Sequence, residues 1–378
     1  MRRILVLAAV AGAALATAAG GNARTIPGQY IVVLEDDVRP AGVAAAHSRL
    51  GAQVLDVYGA ALKGYAARLT PVELAAVRAD DRVAFVEPDR TVHALTTQTN
   101  PTWGLDRIDQ RSRPLTATYS YLSTGAGVKA YVIDTGIRFN HSQFGGRAVS
   151  GHDAVDGGSA DDCNGHGTHV AGTIGGSTYG VAKGVTLVGV RVLNCSGSGT
   201  TSGVIAGVNW VTGNHQAGQR AVANMSLGGG ASSALDNAVR NSITDGVSYA
   251  IAAGNGNFLG IAQNACNSSP ARVGEAMTIS ATDSSDRKAS WANYGSCVDW
   301  FAPGVSIRSA WHTSSTATRT ISGTSMATPH TAGVAALYLQ ANPGAAPATV
   351  RSALFNLTTK GVVTSSSTAN NHLLFTNF

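Results

Sequence analysis

Residues 128–136 read VKAYVIDTG, a run in which only Lys129 interrupts the apolar residues before a polar end. A nearly continuous apolar run of this length is typical of a strand that is buried on both faces. Comparable runs follow at 185–193, 221–229 and 247–255, with helical patterns between them. Strands that alternate with helices predict an α/β domain with a mostly parallel, doubly wound sheet and helices on both faces.

Three of these strands end in polar or glycine-rich residues, which read IDTG (133–136), MSLGG (225–229) and AAGN (252–255). Parallel strands bring their carboxyl ends to one edge of the sheet, and ligands of such sheets bind there. We therefore expect the functional site at this edge.

Residues 24–95 have a different pattern, in the order strand, helix, strand, helix, strand. Thr70, Pro71 and Glu73 supply the N-cap, the N1 proline and the N3 glutamate of a helix start. This order predicts a small α+β domain of the ferredoxin-like kind. Glycine, serine, alanine and asparagine become frequent after it, and residues 96–378 are assigned to one larger domain without a further C-terminal domain.

The N-terminus predicts a signal peptide over residues 1–23. A basic start precedes the apolar residues 4–19, and Gly21 and Ala23 have the spacing of a cleavage site. No second apolar run of spanning length follows, so we expect a secreted, extracellular protein without stable membrane association. The formal net charge is +5, and no basic run contains interleaved aromatic residues, which argues against nucleic-acid binding.

The four cysteines are expected to form disulfides, because an even number of cysteines in a secreted chain favours them. Three pairings are possible for four cysteines. The sequential pairing, Cys163 with Cys195 and Cys266 with Cys297, closes two loops of moderate length and is the expected one.

Three residues near the polar strand ends carry the groups that nucleophilic hydrolysis requires: a carboxylate, an imidazole and a hydroxyl. Asp134 ends the first strand, His166 begins the next helix, and Ser325 lies at the start of the last long helix. A helix N-terminus disfavours an imidazolium, so it is expected to help keep His166 neutral. Pro329 has no N–H and leaves the carbonyl of Ser325 without an intrahelical partner.

Two other interpretations stay open. Cys163, His166 and His169 follow one another at three-residue spacing and could form a zinc site, although the HExxH motif is absent. A catalytically inactive binding module is the second alternative, and the presence of Asp134, His166, Ser325 and Asn255 argues against it.

Three long blocks resemble the catalytic blocks of the subtilisin-like serine peptidases: VIDTGI (132–137), NGHGTHVAGTI (164–174) and SGTSMATPHTAGVAAL (322–337). Their aspartate, histidine and serine stand in the order of the subtilisins. WGLDRID (103–109), ANMSLGGG (223–230) and AAGN are similar to the proteinase K branch and its aqualysin-like bacterial members. The resemblance extends over residues 99–378, and residues 24–95 resemble the subtilisin-type propeptide inhibitor.

The resemblance implies a serine endopeptidase in which Asp134, His166 and Ser325 form the catalytic triad. Asn255 and the backbone N–H of Ser325 would then be the donors to the oxyanion. Polypeptides would be the substrates of a monomeric enzyme, and its own propeptide would inhibit it intramolecularly.

Two glycine-rich segments match the strand edges between which this family holds an extended substrate. Their expected substrate-binding residues are Gly197, Ser198, Gly199, Ser226, Leu227, Gly228 and Gly229. Gly228 and Gly229 leave room for a large apolar or aromatic P1 side chain, within a broad specificity. The loop at 254–267 is longer than in aqualysin-like members, a length that can reshape the P1 pocket.

The resemblance implies no cofactor for catalysis, but it implies calcium ions that stabilise the structure. The oxygen ligands of a first site are expected at Asp106, Asp109, Gln110, Thr116 and Thr118. A second site is expected at Asp299 with the carbonyl groups of Gly274 and Ala276. Surface carboxylates without an ion are the alternative at both places.

The junction VHALTTQTN (92–100) is expected to occupy the active site of the precursor. Self-cleavage between Leu95 and Thr96 would release the mature domain, because leucine is a suitable apolar P1 residue.

Overall fold

The computed structural model describes residues 25–92 and 96–378. The chain divides into two units, and the boundary falls between residues 93 and 94. The expected signal peptide and Leu95 of the expected cleavage site lie outside the described residues. None of the helices within the described ranges is long and apolar enough to cross a membrane.

The N-terminal unit is a four-stranded antiparallel sheet with two helices. Its elements are β1 (Thr25–Leu34), α1 (Pro40–Arg49), β2 (Gln53–Tyr58), β3 (Gly64–Arg68), α2 (Pro71–Arg78) and β4 (Val83–Arg90). The strand order β2-β3-β1-β4 and the element order βαββαβ confirm the ferredoxin-like prediction. The sequence pattern does not predict β2, because Asp56 interrupts its apolar residues at a register shift after Val54.

Helix α2 begins as predicted. The backbone N–H of Thr70 donates to the Glu73 carboxylate at 2.7 Å, and the N–H of Glu73 donates to the Thr70 hydroxyl at 3.4 Å. With Pro71 at the first helical position, these bonds form a capping box that satisfies two N–H groups at the helix start.

The C-terminal unit contains the remaining strands and helices. Its strands are β5 (Thr96–Thr99), β6 (Thr118–Tyr121), β7 (Lys129–Asp134), β8 (Ala148–Asp153), β9 (Thr186–Arg191), β10 (Ala221–Met225), β11 (Gly229–Gly230), β12 (Ser248–Ala252), β13 (Ser268–Ser269), β14 (Met277–Thr282), β15 (Trp300–Pro303), β16 (Ile307–Ala310) and β17 (Thr318–Ile321). Its helices are α3 (Trp103–Ile108), α4 (His166–Gly175), α5 (Thr201–Asn214), α6 (Ser233–Asp245), α7 (Thr324–Ala341) and α8 (Pro347–Leu357).

Seven of these strands form one parallel sheet in the order β15-β14-β12-β10-β7-β9-β8. Side chains of β7 alternate between its two faces. Ala130 and Val132 pack in one core with α4 and α7, whereas Tyr131 and Ile133 pack in the other with α5 and α6. Helices therefore cover both faces, which confirms the predicted doubly wound α/β class.

Strands β8, β14 and β15 are not predicted by the sequence pattern. Their sequences, AVSGHD, MTISAT and WFAP, contain serine, threonine, histidine or proline instead of a continuous apolar run. They are held as strands by parallel pairing with neighbours and by burial, which are tertiary contributions.

The strand order changes direction at β7. After β7 the chain adds β8 and β9 on one side of it, and then crosses to add β10, β12, β14 and β15 on the other. The carboxyl ends of β7, β10 and β12 consequently lie at neighbouring positions on one edge of the sheet. Such a switch in strand order opens a crevice at that edge. Helix α7, which packs against β10 and β12, begins beside it.

Candidate active site

Asp134 is the last residue of β7 and is fully buried. Its Oδ1 accepts hydrogen bonds from the ring Nδ1 of His166 and from the backbone N–H of Thr135, both at 2.7 Å. The side chain of His166 is 25% exposed and lines a cavity. Because Nδ1 is occupied by Asp134, Nε2 of His166 is the ring nitrogen left for a proton transfer.

His166 owes its position to the glycines on either side of it. Gly165, the N-cap residue of α4, has a left-handed backbone with φ of 109°. A Cβ atom at Gly167 would lie 2.1 Å from the carbonyl oxygen of Gly136. The start of α4 can therefore approach the end of β7 only with glycine at position 167.

A second buried carboxylate, that of Asp162, holds the same turn. Its Oδ1 accepts hydrogen bonds from the Thr135 hydroxyl at 2.9 Å and from the backbone N–H groups of the two residues before His166. Its Oδ2 accepts the N–H of Thr168 at 2.9 Å and the hydroxyl of the same residue at 2.6 Å. The sequence analysis did not identify Asp162. Its position, four residues before His166, is the feature that could have indicated a role in holding the turn.

The pKa of His166 is raised above its ordinary value. Burial disfavours the imidazolium, but the charge and hydrogen bond of Asp134, together with the charge of Asp162, outweigh burial. The helix N-terminus was expected to favour the neutral ring. The two carboxylates reverse that direction.

Ser325 and Ser226 exchange a pair of hydrogen bonds. The Ser325 hydroxyl donates to the carbonyl of Ser226 at 3.1 Å, and the Ser226 hydroxyl donates to the carbonyl of Ser325 at 2.9 Å. The carbonyl of Ser325 is free for this bond because Pro329, within α7, has no N–H to donate. In this structure the Ser325 hydroxyl therefore points to Ser226 and not to His166.

The side chain of Asn255 is oriented by Thr324. Its Oδ1 accepts from the backbone N–H of Thr324 at 2.8 Å and from the Thr324 hydroxyl at 2.9 Å. With the oxygen fixed, Nδ2 is left as the donor of Asn255. The N–H of Ser325, in the first turn of α7, has no acceptor within the helix. These are the two groups that the resemblance implies as donors to an oxyanion, whereas sequence reasoning did not include Thr324.

Two cavities share one wall at this edge. One, of about 550 Å³, is lined by His166 and by residues 196–201, and the other, of about 450 Å³, is lined by residues 252–256 and Ser325. The common wall is formed by residues 226–230. The first cavity includes the predicted Gly197, Ser198 and Gly199, and both include Ser226, Leu227, Gly228 and Gly229.

The cysteines are joined in sequential order, Cys163 to Cys195 and Cys266 to Cys297. The first disulfide links the turn that precedes His166 to the start of the segment at 196–201, which lines the cavity of about 550 Å³.

This disulfide removes the zinc interpretation, because Cys163 has no thiolate to offer. His169 donates from Nε2 to the carbonyl of Ile307 at 3.0 Å, and burial lowers its pKa to about 3. No group of three histidine, cysteine or acidic side chains in the described part of the chain is arranged to bind a metal ion. The alternative interpretation, a zinc site formed by Cys163, His166 and His169, does not fit this arrangement.

The residues of the first expected calcium site fit a cation in part. The Oδ1 of Asp109 and the Oε1 of Gln110 are buried oxygens without a hydrogen-bond partner, and burial raises the pKa of Asp109 to about 6. Asp106 differs, because its two oxygens accept hydrogen bonds from Thr116 and from the N–H of Ala117. Thr118 is hydrogen-bonded to Thr116 at 2.8 Å. Asp109 and Gln110 are thus the residues left to hold calcium here.

The second expected calcium site does not fit a metal ion. The carboxylate of Asp299 forms an ion pair with the guanidinium of Arg351, whose Nε also donates to the carbonyl of Ala276 at 3.1 Å. Gly274 lies exposed in the preceding turn. An arginine therefore supplies the positive charge that calcium was expected to supply, and it occupies two of the three expected ligands.

Comparison with known proteins gives matches over both units. The model of the Subtilase family matches residues 125–374, and that of the Peptidase inhibitor I9 family matches residues 29–95. The extracellular serine proteinase of Thermus sp. (strain Rt41A) is 55% identical over 377 residues, which cover 93% of this chain and 90% of that protein. The alkaline serine exoprotease A of Vibrio alginolyticus is 54% identical over 330 residues, which cover 85% of this chain and 60% of that protein.

A solved structure agrees with these matches. The crystal structure of a cold adapted subtilisin-like serine proteinase is 56% identical to this chain, with a TM-score of 0.71, and the match covers 74% of this chain and 100% of that one. Strand order, sequence and fold thus point to one family. The chain belongs to the subtilase family and is a serine endopeptidase, with a peptidase inhibitor I9 domain N-terminal to its peptidase domain.

Proposed function

We propose that residues 96–378 are the mature enzyme, a secreted, monomeric endopeptidase of broad specificity that uses Asp134, His166 and Ser325 as its catalytic triad. The observation that carries this proposal is the Asp134–His166 hydrogen bond of 2.7 Å at the shared edge of two cavities, with Ser325 lining one of them. Arranged in this way, a carboxylate, an imidazole and a hydroxyl can perform acyl transfer to a serine.

Catalysis begins with a rotation of the Ser325 hydroxyl away from the carbonyl of Ser226 and towards Nε2 of His166. His166 takes the proton as Ser325 attacks the peptide carbonyl, and later gives it to the leaving amine. Asp134 keeps the proton of the neutral ring on Nδ1 and stabilises the imidazolium that forms. Water then hydrolyses the acyl-enzyme by the same route.

The oxyanion of the tetrahedral intermediate is stabilised by Nδ2 of Asn255 and by the backbone N–H of Ser325. Both donors are fixed before the reaction, Asn255 by Thr324 and Ser325 by the first turn of α7. Preorganised donors need no rearrangement when charge develops, which is why they lower the barrier.

The substrate lies extended between residues 197–199 and 226–229, where backbone pairing accepts most sequences. The P1 side chain enters the cavity of about 450 Å³, whose lining residues carry no charge. An uncharged cavity with glycine and alanine at its walls favours large apolar or aromatic P1 side chains, because a charged group would lose its hydration there.

The chain is a precursor in this proposal. Residues 1–23 direct secretion and are removed, and residues 24–95 inhibit the peptidase until self-cleavage between Leu95 and Thr96. The inhibitor-family match at 29–95 and the unit boundary beside residue 93 support this division. The name of the Thermus relative supports an extracellular location.

Catalysis needs no cofactor in this scheme, while one calcium ion stabilises the fold at Asp109 and Gln110. Their two buried oxygens without partners support this assignment. Calcium prefers such carboxylate and amide oxygens as ligands.

Mass spectrometry of a digest tests the proposal directly. The mature enzyme is compared with a Ser325→Ala variant that added wild-type enzyme has cleaved before Thr96 and that is then purified away from it. Each is incubated with an unfolded protein, and the new termini are sequenced. We expect cleavage by the mature enzyme alone, mostly after large apolar or aromatic residues. Cleavage after charged residues would contradict the P1 assignment, and equal cleavage by the variant would contradict the triad.

A further inference from the structure

An exposed apolar loop follows Asn255. The side chains of Phe258, Leu259 and Ile261 are 94%, 66% and 56% exposed. Among the described residues of the C-terminal unit, only Val149 and Val155 are other exposed large hydrophobic residues. Exposed apolar side chains that are grouped in this way mark interaction sites on soluble proteins.

The loop is ordered by hydrogen bonds around Asn257. Its Oδ1 accepts from the backbone N–H of Leu259 at 3.0 Å and of Ile261 at 3.1 Å, and its own N–H donates to the carbonyl of Ile261 at 2.9 Å. Gly256 and Gly260 have φ of 84° and 72°, which lets the backbone fold back on itself. The three apolar side chains are thus presented from a closed turn.

The base of the loop is attached to the substrate cavity by Asn293, which is buried. Its Oδ1 accepts from the N–H of Gly256 at 2.9 Å and of Gln263 at 2.8 Å, and its Nδ2 donates to the carbonyl of Ala253 at 2.9 Å. Asn293, Asn255 and Gly256 all line the cavity of about 450 Å³. The loop that carries the apolar side chains therefore starts from the wall of the proposed P1 cavity and is fixed to that wall at its base.

The chemistry of the surroundings selects the kind of partner. Residues 254–270 read GNGNFLGIAQNACNSSP and contain no charged residue. A charged segment would find no side chain of opposite charge among these residues, whereas an apolar segment would bury its surface against the loop. Folded proteins bury most of their large apolar side chains, and unfolded polypeptides expose them.

We propose that Phe258, Leu259 and Ile261 form a docking surface for apolar side chains of an unfolded polypeptide substrate, outside the residue held in the P1 cavity. This inference rests on the proposed function, because the loop begins at the cavity that is proposed to hold the P1 side chain. The loop raises the affinity for long substrates. It leaves the chemical step unchanged, because none of its three side chains lines the two cavities that contain His166 and Ser325. Short peptides that end at the P1 residue do not reach it.

The test compares two substrates in one triple variant, Phe258→Ser, Leu259→Ser and Ile261→Ser. One substrate is a reduced, carboxymethylated protein, and the other is a short p-nitroanilide peptide with phenylalanine at P1. We expect KM for the unfolded protein to rise about tenfold, which corresponds to the loss of one buried large apolar side chain. The value of kcat for the protein, and both constants for the peptide, should stay within about twofold on the scale of ordinary surface substitutions.

Val149→Ser is the matched control, because it removes another exposed apolar side chain, on β8, that lines neither cavity. It should leave all four constants unchanged. Asn257→Ala keeps the apolar side chains but removes the hydrogen bonds that fix the turn, and it should raise KM for the protein in the same direction. Thermal unfolding of each variant verifies that the domain is folded.

Three results would overturn the inference. An unchanged KM for the protein substrate would mean that the patch does not dock it. An equal rise of KM for the short peptide would mean that the loop shapes the P1 cavity. A wild-type dimer that the triple variant dissociates would mean that a second copy of this chain covers the patch. Failure of the wild type to cleave the short peptide would instead contradict the proposed function.

Discussion

The hydroxyl of Thr135 donates to the carboxylate of Asp162 at 2.9 Å and accepts the backbone N–H of Gly167 at 2.9 Å. Thr135 directly follows Asp134, and Gly167 directly follows His166. These two hydrogen bonds therefore join the strand that carries the carboxylate to the helix that carries the imidazole. The 2.7 Å contact between Asp134 and His166 lies directly beside this connection.

Replacement of Asp162 by asparagine should lower kcat by between about tenfold and 10²-fold, because small displacements of a catalytic base are costly. An amide has only one oxygen, so the NH2 group that replaces the other oxygen of Asp162 cannot accept the two hydrogen bonds from Thr168. KM should change little. Loss of the negative charge should also lower the pKa of His166 and move the acid limb of kcat/KM to lower pH. The pH profile distinguishes positioning from a general loss of folding.

Asp161→Asn is the control for Asp162. Asp161 is the adjacent carboxylate but is exposed, and its side chain makes none of these hydrogen bonds. It should leave kcat unchanged. An equal loss of kcat in both variants would show that net charge near the helix matters and that the hydrogen bonds do not.

Replacement of Asn255 by alanine should lower kcat by about 10²–10³, the usual cost of one oxyanion donor. KM for a short peptide should stay close to that of the wild type, because the donor acts on the transition state. Thr324→Val, which removes one of the two bonds that orient Asn255, should cause a smaller loss in the same direction. An Asn255→Ala enzyme with the wild-type kcat would contradict the assignment.

Activity should depend on pH through His166, which must be neutral to accept the proton. Because the two carboxylates raise its pKa above the ordinary value of about 6.5, kcat/KM should be low in acid and rise as the pH passes above that value. Activity should then persist into alkaline conditions. A profile of kcat/KM for a short peptide measures this limb, and an optimum near pH 4 would contradict the mechanism.

Ser325→Ala should accumulate as a precursor that retains residues 24–95, because the proposed self-cleavage needs the nucleophile. Expression in a host without other extracellular proteases, followed by N-terminal sequencing, separates the two forms. Added mature wild-type enzyme should cleave the variant before Thr96. Normal maturation of the variant alone would show that another protease performs the cleavage.

Removal of calcium should lower the melting temperature of the mature enzyme. At a calcium concentration 100 times Kd, binding to the native state stabilises it by about 2.7 kcal/mol. Asp109→Asn should lower the melting temperature and make it insensitive to a chelator. Arg351→Ala should destabilise the enzyme without removing the chelator effect, because Arg351 fills the other expected site. A wild-type melting temperature that a chelator leaves unchanged would exclude the ion at Asp109.

The sequence was sufficient for the fold class, and it supplied the three residues of the proposed triad. The apolar run at 128–136 predicted a buried strand, because a strand covered on both faces needs apolar side chains in both directions. Thr70, Pro71 and Glu73 predicted the start of α2, since a capping box consists of neighbours in the chain. Information of this kind is local, and a sequence carries it directly.

The tertiary structure decided which groups are brought into contact across the chain. Strands β8, β14 and β15 are strands because of their neighbours, and Arg351 replaces an expected calcium ion at Asp299 because a distant helix delivers its guanidinium. The pKa of His166 follows from two carboxylates at the sheet edge and not from the helix that it begins. The sequence alone therefore determined the residue types and the order of the elements, whereas only the packed sheet determined the partners, because hydrogen bonds and charges act over a few ångströms in space whatever their separation in the chain.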